Sequence, residues 1–378
     1  MNKHKLLIVG SFPFLRKDFK GNTFHGGILT SCRVIIDNLD KAKFKLILLD
    51  STINSLHPPG PIARVWRALR RIVSLIILLT FKKPSVALIF ASDGGSALEK
   101  GLMVWICNNF KCATLIFPRA GNLIQQTHKS KIMLRLIKKL FSYATIFLCQ
   151  GPRWKDYALG TLGFSEERVR TISNWTATKE KLRIGALRNY RSHSSTANIL
   201  FVGWLEDFKG VFELLRACLA LRDSNFDFKL TLAGDGRAFE EASDFVQHHN
   251  LGDNVCFTGW VGPAALDVLL KDANIFVLPS WSEGLPNAMI EAMAAGLAII
   301  VTSVGIIPDF VVSNQNGILI PPRSTEKLKL ALQNLMSDVA LRNRLALNGH
   351  ITAKENFAAE PSIAELSNAI EEISNKMP

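Results

Sequence analysis

The sequence predicts an α/β protein of two domains with parallel sheets covered on both faces. Three observations carry that expectation. Short, wholly apolar segments bounded by turn residues recur along the chain, such as Leu6-Leu7-Ile8-Val9 and Ile275-Phe276-Val277-Leu278. Strands buried on both faces read as continuous hydrophobic runs, whereas half-exposed strands alternate. Stretches with helical patterning separate these runs, and about six runs fall in each half. The chain has 378 residues, 48% of them hydrophobic, which is enough for two cores.

In chain order, the strands of the first half are expected at 5–9, 44–49, 87–90, 114–117, 146–149 and 169–172. Those of the second half are expected at 199–202, 229–233, 255–258, 275–278, 298–301 and 317–320. A helix is expected from Ile28 to Leu39, after Gly26-Gly27. A short helix opens at Pro286, because proline is tolerated in a first turn, and stops at Gly296, which suits a left-handed cap. A last helix is expected at about 362–375. The join is expected near 176–196, where 176–179 and 191–196 are polar and unpatterned. This places a first domain at 1–178, a second at 196–356 and a C-terminal segment at 357–378. Six strands per half suggest two Rossmann-like domains.

Charge is uneven. Residues 1–178 hold 27 Lys/Arg against 9 Asp/Glu, a surplus of +18; residues 179–378 hold 18 against 23. Such a field attracts anionic lipid, phosphorylated substrates or nucleic acid. No zinc-finger spacing or RNA-binding strand signature accompanies it, so nucleic acid is not expected as a partner. The six cysteines are scattered without a CxxC pair and read as buried, reduced thiols of a cytoplasmic protein. Lys3-His4-Lys5 leads straight into a strand, so no signal peptide is expected. The longest apolar run, Ile72–Phe81, is too short to span a bilayer. It follows Arg64, Arg67, Arg70 and Arg71 and precedes Lys82-Lys83. Val65, Leu69, Ile72 and Ile76 share a helical face. Two readings stay open: a helix on the first sheet with a solvated basic face, or a helix lying peripherally on an anionic membrane, at the inner face of the cell membrane.

The densest chemistry lies in Pro279-Ser280-Trp281-Ser282-Glu283-Gly284-Leu285-Pro286-Asn287, which runs on to Glu291 and Gly296. A buried strand enters a turn, and the turn enters a helix. Unpaired N–H groups and the positive dipole end of a helix N-terminus attract phosphate. Glu283 precedes the helix and Glu291 lies within it, seven residues intervening. One carboxylate can reach sugar hydroxyls and the other a ribose. Gly26-Gly27 lets backbone approach phosphate; His25 precedes the pair. Neither half carries GxGxxG after a strand, which counts against a nicotinamide or flavin domain.

These residues resemble the retaining glycosyltransferases of family 4, of GT-B fold. Glu283, Gly284, Glu291, Ala292, Met293, Ala294 and Gly296 stand in register with that family's Glu-x7-Glu donor motif. Val202-Gly203-Trp204-Leu205-Glu206-Asp207-Phe208-Lys209-Gly210 resembles its V-G-R-L-x-x-x-K-G segment, whose Arg and Lys hold the donor pyrophosphate. Lys209 matches, and Trp204 stands where Arg is usual. Neutral Trp cannot act as a bidentate phosphate clamp, although it can stack on a base or sugar. Arg119, in a first-domain loop, is the candidate replacement cation. Gly234-Asp235-Gly236 and the segment from Thr302 to Asp309 resemble further family loops, the latter with Ile306 and Asp309 where Gly and Glu are usual. Gly259-Trp260 resembles the loop that reads the nucleobase. No histidine occurs between Leu115 and Thr127, so the family's first-domain histidine has no counterpart there.

The resemblance implies two domains facing a cleft, with the terminal helix crossing back to the first. It implies transfer of a hexose-type sugar, with retention, from a nucleotide-diphospho-sugar to a saccharide or lipid-linked acceptor, as in bacterial surface-polysaccharide assembly (O-antigen, lipopolysaccharide, capsule or exopolysaccharide). No cofactor and no metal site are expected. Glu283, Lys209 and Arg119 are the expected catalytic residues. Donor binding is assigned to Gly26, Gly27, Gly203, Trp204, Lys209, Gly234, Gly259, Trp260, Glu283, Gly284, Leu285, Pro286, Asn287 and Glu291. Two alternatives remain: a sugar-nucleotide epimerase of the same two-domain shape, or a non-catalytic assembly partner that binds sugar nucleotides.

Overall fold

The computed structural model describes residues 3–13, 26–52, 60–190 and 197–376. His25 lies outside them. The chain forms two compact units, residues 1–175 with 359–378, and residues 176–358.

The first unit contains β1 (His4–Gly10), α1 (Gly27–Asn38), β2 (Phe44–Asp50), α2 (Pro61–Lys82), β3 (Val86–Ala91) and α3 (Gly94–Asn109). It continues with β4 (Ala113–Pro118), α4 (Asn122–Lys129), α5 (Lys131–Phe141), β5 (Ile146–Cys149), α6 (Pro152–Asp156) and β6 (Val169–Thr171). The sheet order is β2-β1-β3-β4-β5-β6, and all pairs are parallel. The second unit contains α7 (Lys179–Ala186), β7 (Ala197–Val202), α8 (Val211–Asp223), β8 (Phe228–Ala233), α9 (Phe239–His248), β9 (Val255–Gly259) and α10 (Pro263–Asp272). It ends with β10 (Ile275–Leu278), α11 (Asn287–Ala294), β11 (Ala298–Thr302), β12 (Ile318–Ile320), α12 (Thr325–Ser337) and α13 (Val339–Phe357). Its order is β12-β11-β10-β7-β8-β9. Helix α14 (Ala359–Asn375) belongs to the first unit. The fold class is therefore the one the sequence predicts, and every expected strand is present, its limits shifted by two residues or fewer.

Both sheets are apolar on both sides. Every residue of β3, β4 and β5 is buried, as is every residue of β10 and β11. Two six-stranded parallel sheets of this kind need helices on both faces, because a parallel crossover puts a helix on one face or the other. In the first unit α14 supplies part of one cover. It packs on α1, and Ile363, Leu366, Ile370 and Ile373 enter the core with Leu6, Ile8 and Leu88.

Two expectations need correction. Of the expected join, 191–196 lies outside the described residues, and the rest is not merely a polar joint: the units divide at 175/176, and Lys179–Ala186 is α7, packed on α10, α11 and α13. Its buried side is Lys181, Ile184 and Gly185, one aliphatic residue beside a lysine and a glycine, which gives too weak a period to be read. The second unit closes where the chain enters and leaves it, since Ala177 pairs with Ala358 and Ala177 N–H donates to Phe357 O at 3.1 Å. Five cysteines are buried, but Cys256 is exposed on β9. For α2, whose two readings stay open in the sequence, the face that carries Val65, Leu69 and Ile76 is exposed, and Leu75 and Leu79 make the buried contact.

Candidate functional site

In the second unit the sheet order reverses direction between β7 and β10. Crossovers lead away on both sides of that point, which opens a crevice at the carboxyl ends of the two strands. The loops after β7 and β10 meet there. Trp281 N–H donates to Phe208 O at 2.7 Å. Gly210 makes the approach possible. It has φ +73°, and a Cβ on it would collide with Pro279 O. Lys209, in the turn before Gly210, and Glu283, after β10, are 74 positions apart in sequence. Lys209 Nζ donates to Glu283 Oε1 at 2.5 Å, both side chains largely buried. Lys209 Nζ also lies 5.5 Å from the Phe208 ring centroid.

The third segment joins the same place. Ile306 N–H donates to Gly284 O at 3.3 Å. The isoleucine that stands where glycine is usual is buried, and its backbone N–H holds the Glu283 loop. Leu285 and Pro286 are buried, Gly284 and Asn287 half-buried. Pro286 precedes the first residue of α11, and Gly296 follows it with φ +73°, as the turn chemistry predicts.

Behind β7, Gly203 N–H donates to Ala233 O at 3.0 Å, and Gly234 N–H donates to Gly259 O at 2.9 Å. A Cβ on Gly234 would fall on Gly203 O, so only glycine lets the ends of β7 and β8 touch. These contacts bring Trp204 against Trp260, ring centroids 4.5 Å apart at 78°, an edge-to-face geometry favoured by aromatic quadrupoles. The tryptophan that replaces the usual arginine thus has a second tryptophan beside it, both half-buried.

Glu291 lies one turn inside α11 and is buried. Its Oε1 is 3.6 Å from Lys181 Nζ on α7, and that ammonium is 3.4 Å from Asp267 on α10. Burial raises the pKa of the Glu291 carboxyl above the usual carboxylate value, and the nearby Lys181 charge only partly offsets this. Sequence reasoning does not reach Lys181 as a site residue, because it does not reach α7. Two further neighbours are also new. Trp281 Nε1 donates to Glu213 Oε1 at 2.9 Å, and the Arg323 guanidinium lies 4.2 Å over the Trp281 ring. Arg323 follows β12 directly after Pro321-Pro322, the one sequence cue to its loop.

Gly26, Gly27 and Arg119 belong to the first unit. Gly26 has φ +144° and precedes α1, which begins at Gly27. Arg119 Nη2 donates to Ser31 Oγ at 2.8 Å, and its guanidinium lies 5.1 Å and 5.2 Å from the Phe117 and Trp175 ring centroids. Burial draws its pKa down to about 10. It remains a cation at neutral pH, held by an α1 hydroxyl and two aromatic faces.

Replacing Gly210 with alanine should destabilise the second unit by about 1–3 kcal/mol, the range for backbone strain at positive φ. The near contact with Pro279 O adds a steric cost. A melting temperature unchanged within error would show that the two loops part freely.

Residues 188–351 match the family described as Glycosyl transferases group 1. The putative teichuronic acid biosynthesis glycosyltransferase TuaC of Bacillus subtilis is 28% identical over 240 residues, 61% of this chain and 57% of that one. The chain spans about half the length of the curated relatives it matches. Among solved structures, sucrose-phosphate synthase from Thermosynechococcus elongatus superposes with TM-score 0.76 at 18% identity, covering 98% of this chain and 99% of that one. Anabaena HepE in complex with UDP-glucose gives TM-score 0.70 at 14% identity, covering 97% and 99%. Likeness at these identities establishes the shared two-unit fold.

Proposed function

We propose that this chain, whose residues 188–351 match the group 1 glycosyl transferases, transfers a hexose from a nucleotide-diphospho-sugar with retention of configuration. The acceptor in this reading is a saccharide or lipid-linked glycan of bacterial surface polysaccharide. One observation carries it most. Lys209 and Glu283, far apart in sequence, meet at 2.5 Å at the switch point of a parallel sheet. An ammonium has three N–H donors, so Lys209 can hold Glu283 and still donate to a diphosphate. The N-terminus of α11 adds backbone N–H groups for the same phosphates. Glu283, fixed by Lys209, accepts from sugar hydroxyls.

In this assignment Trp204 and Trp260 offer an aromatic surface for base or sugar, with Gly203, Gly234 and Gly259 bringing backbone close. Arg323 is a second guanidinium, within the second unit, stacked on the tryptophan two residues before Glu283. It joins Arg119 as a candidate for the charge that Trp204 does not supply. Glu291 is assigned to the ribose, with Lys181 sharing its charge. Teichuronic acid, in the name of the Bacillus subtilis relative, supports the acceptor class. The UDP-glucose held by Anabaena HepE supports the donor class.

The test is a thermal-shift panel of nucleotide sugars followed by product analysis, since a ligand that binds only the native state raises its stability. Release of nucleoside diphosphate with an α-linked product from an α-linked donor is the expected result. A net epimerised nucleotide sugar would assign the epimerase reading, and binding without turnover would assign the assembly-partner reading. Changing Glu291 to alanine should weaken the nucleotide alone as well as the nucleotide sugar, by roughly 1.5–3 kcal/mol for a lost charged hydrogen bond. Calorimetry showing equal nucleotide affinity in the folded variant would remove Glu291 from the site.

A further inference from the structure

Helix α2 turns an apolar face to solvent. Ile62, Val65, Trp66, Leu69, Val73 and Ile77 follow one another at i, i+3, i+4, i+7, i+11 and i+15, and all are exposed, Ile62 at 87% and Trp66 at 70%. Phe81, at 77%, continues the line. A helix packed on a sheet normally buries such a stripe. Here the buried contact falls on the other side, through Leu75 and Leu79. Arg71 clamps that side: Nε and Nη2 donate to Glu99 on α3 at 2.6 Å and 2.8 Å. Burial opposes ionisation of Glu99, but the Arg71 hydrogen bond and the Lys100 and Arg71 charges outweigh it and hold the pKa below the ordinary value. The clamp fixes which face looks outward.

The surroundings of this face are cationic. Between Gly60 and Lys83 there is no acidic residue, and Arg67, Arg70, Lys82 and Lys83 are exposed. Arg71, one of the basic cluster read from the sequence, is tied inward. Helix α3 packs on both α2 and α5, and α5 repeats the pattern on a smaller scale. Ile132 and Leu136 are exposed one turn apart, among exposed Lys131, Arg135, Lys138 and Lys139.

We propose that the outward face of α2, flanked by the basic face of α5, docks the first unit on an anionic lipid surface, with the α2 axis in the plane of the interface. The apolar stripe enters the acyl boundary and the arginines and lysines meet lipid phosphates. Charge selects the occupant. A second copy would bring two cationic rims together, whereas an anionic bilayer complements both the stripe and its rim. No helix among the described residues is long and apolar enough to cross a membrane, so this mode of attachment is peripheral. None of these residues is among those assigned to the donor or to catalysis, so docking is tested separately from donor binding.

The experiment is flotation with vesicles of phosphatidylcholine alone, or mixed with phosphatidylglycerol, at low and high salt. The wild-type chain should float with the mixed vesicles at low salt and be released as salt rises. The triple variant Trp66→Ser, Leu69→Ser, Val73→Ser changes only exposed side chains, so it should keep the wild-type melting temperature and lose flotation. Changing Arg67, Arg70 and Lys82 to Gln should lower partitioning on the order of 100-fold, at roughly fivefold per cation. Absence of wild-type flotation, or equal flotation of all three proteins, overturns the proposal. A wild-type dimer that the serine variant converts to monomer would also overturn it, and would give this face to a second copy. The nucleotide-sugar thermal shift should be the same in all three proteins, so failure here is distinguishable from failure of the donor reading.

Discussion

Replacing Lys209 with alanine is expected to lower turnover of the nucleotide sugar by about 10²–10³-fold, the usual cost of removing one preorganised electrostatic partner of a charge that develops in the transition state. In the proposed reaction the leaving diphosphate is that charge, and Lys209, which the loops after β7 and β10 bring to Glu283, is the cation assigned to it. The same substitution leaves Glu283, whose side chain is 10% exposed, without its ammonium. Changing Glu283 to glutamine should therefore lower turnover as well, while hardly changing nucleotide affinity, because its assigned contact is to the sugar. The double variant should lose less than the product of the single losses, since contacting residues share one interaction. Steady-state release of nucleoside diphosphate at saturating donor measures all three. Wild-type turnover in a folded Lys209→Ala protein would remove the pair from the chemistry.

Replacing Lys181 with methionine should destabilise the second unit by about 3–5 kcal/mol at neutral pH, as expected when one partner of a buried charge group is removed. Lys181 lies 3.6 Å from Glu291 and 3.4 Å from Asp267. Without it, the buried Glu291 and the half-buried Asp267 would lose the cation that lies between them. The pH dependence has a definite sign. Burial already raises the Glu291 pKa above its ordinary value of 4.5, so in that range the folded state binds more protons than the unfolded state. The contribution of Glu291 to stability is therefore greatest below about 4.5 and is lost as pH rises through the raised folded value. Loss of the Lys181 charge raises that value further. The melting-temperature gap between wild type and variant should then widen from pH 5 to pH 8. A gap independent of pH would mean that Lys181 stabilises by packing alone.

The two sheets are legible in the sequence because fully buried parallel strands leave an unbroken apolar signal that turn residues bound. Pro286 and Gly296 mark the limits of their helix by local turn chemistry. Helix α7 is not legible, because its buried side carries one aliphatic residue, Ile184, beside a lysine and a glycine. Lys181 cannot be placed beside Glu291 from sequence, since only the packing of α7 on α11 brings them together. The orientation of α2 is open as well: its sequence carries apolar and basic residues around most of the helix, and periodicity does not say which side meets the sheet.

Local sequence therefore settles the fold class and the strand positions, which rest on periodicity and turn chemistry written within a few residues of one another. Lys209, Glu283 and Glu291 are singled out by resemblance to family motifs. The pairing of Lys209 with Glu283, the meeting of Trp204 and Trp260, and the Arg71–Glu99 clamp that turns the apolar stripe of α2 outward come from the tertiary structure. Each depends on contacts between segments that only a folded sheet, with its covering helices, brings within reach.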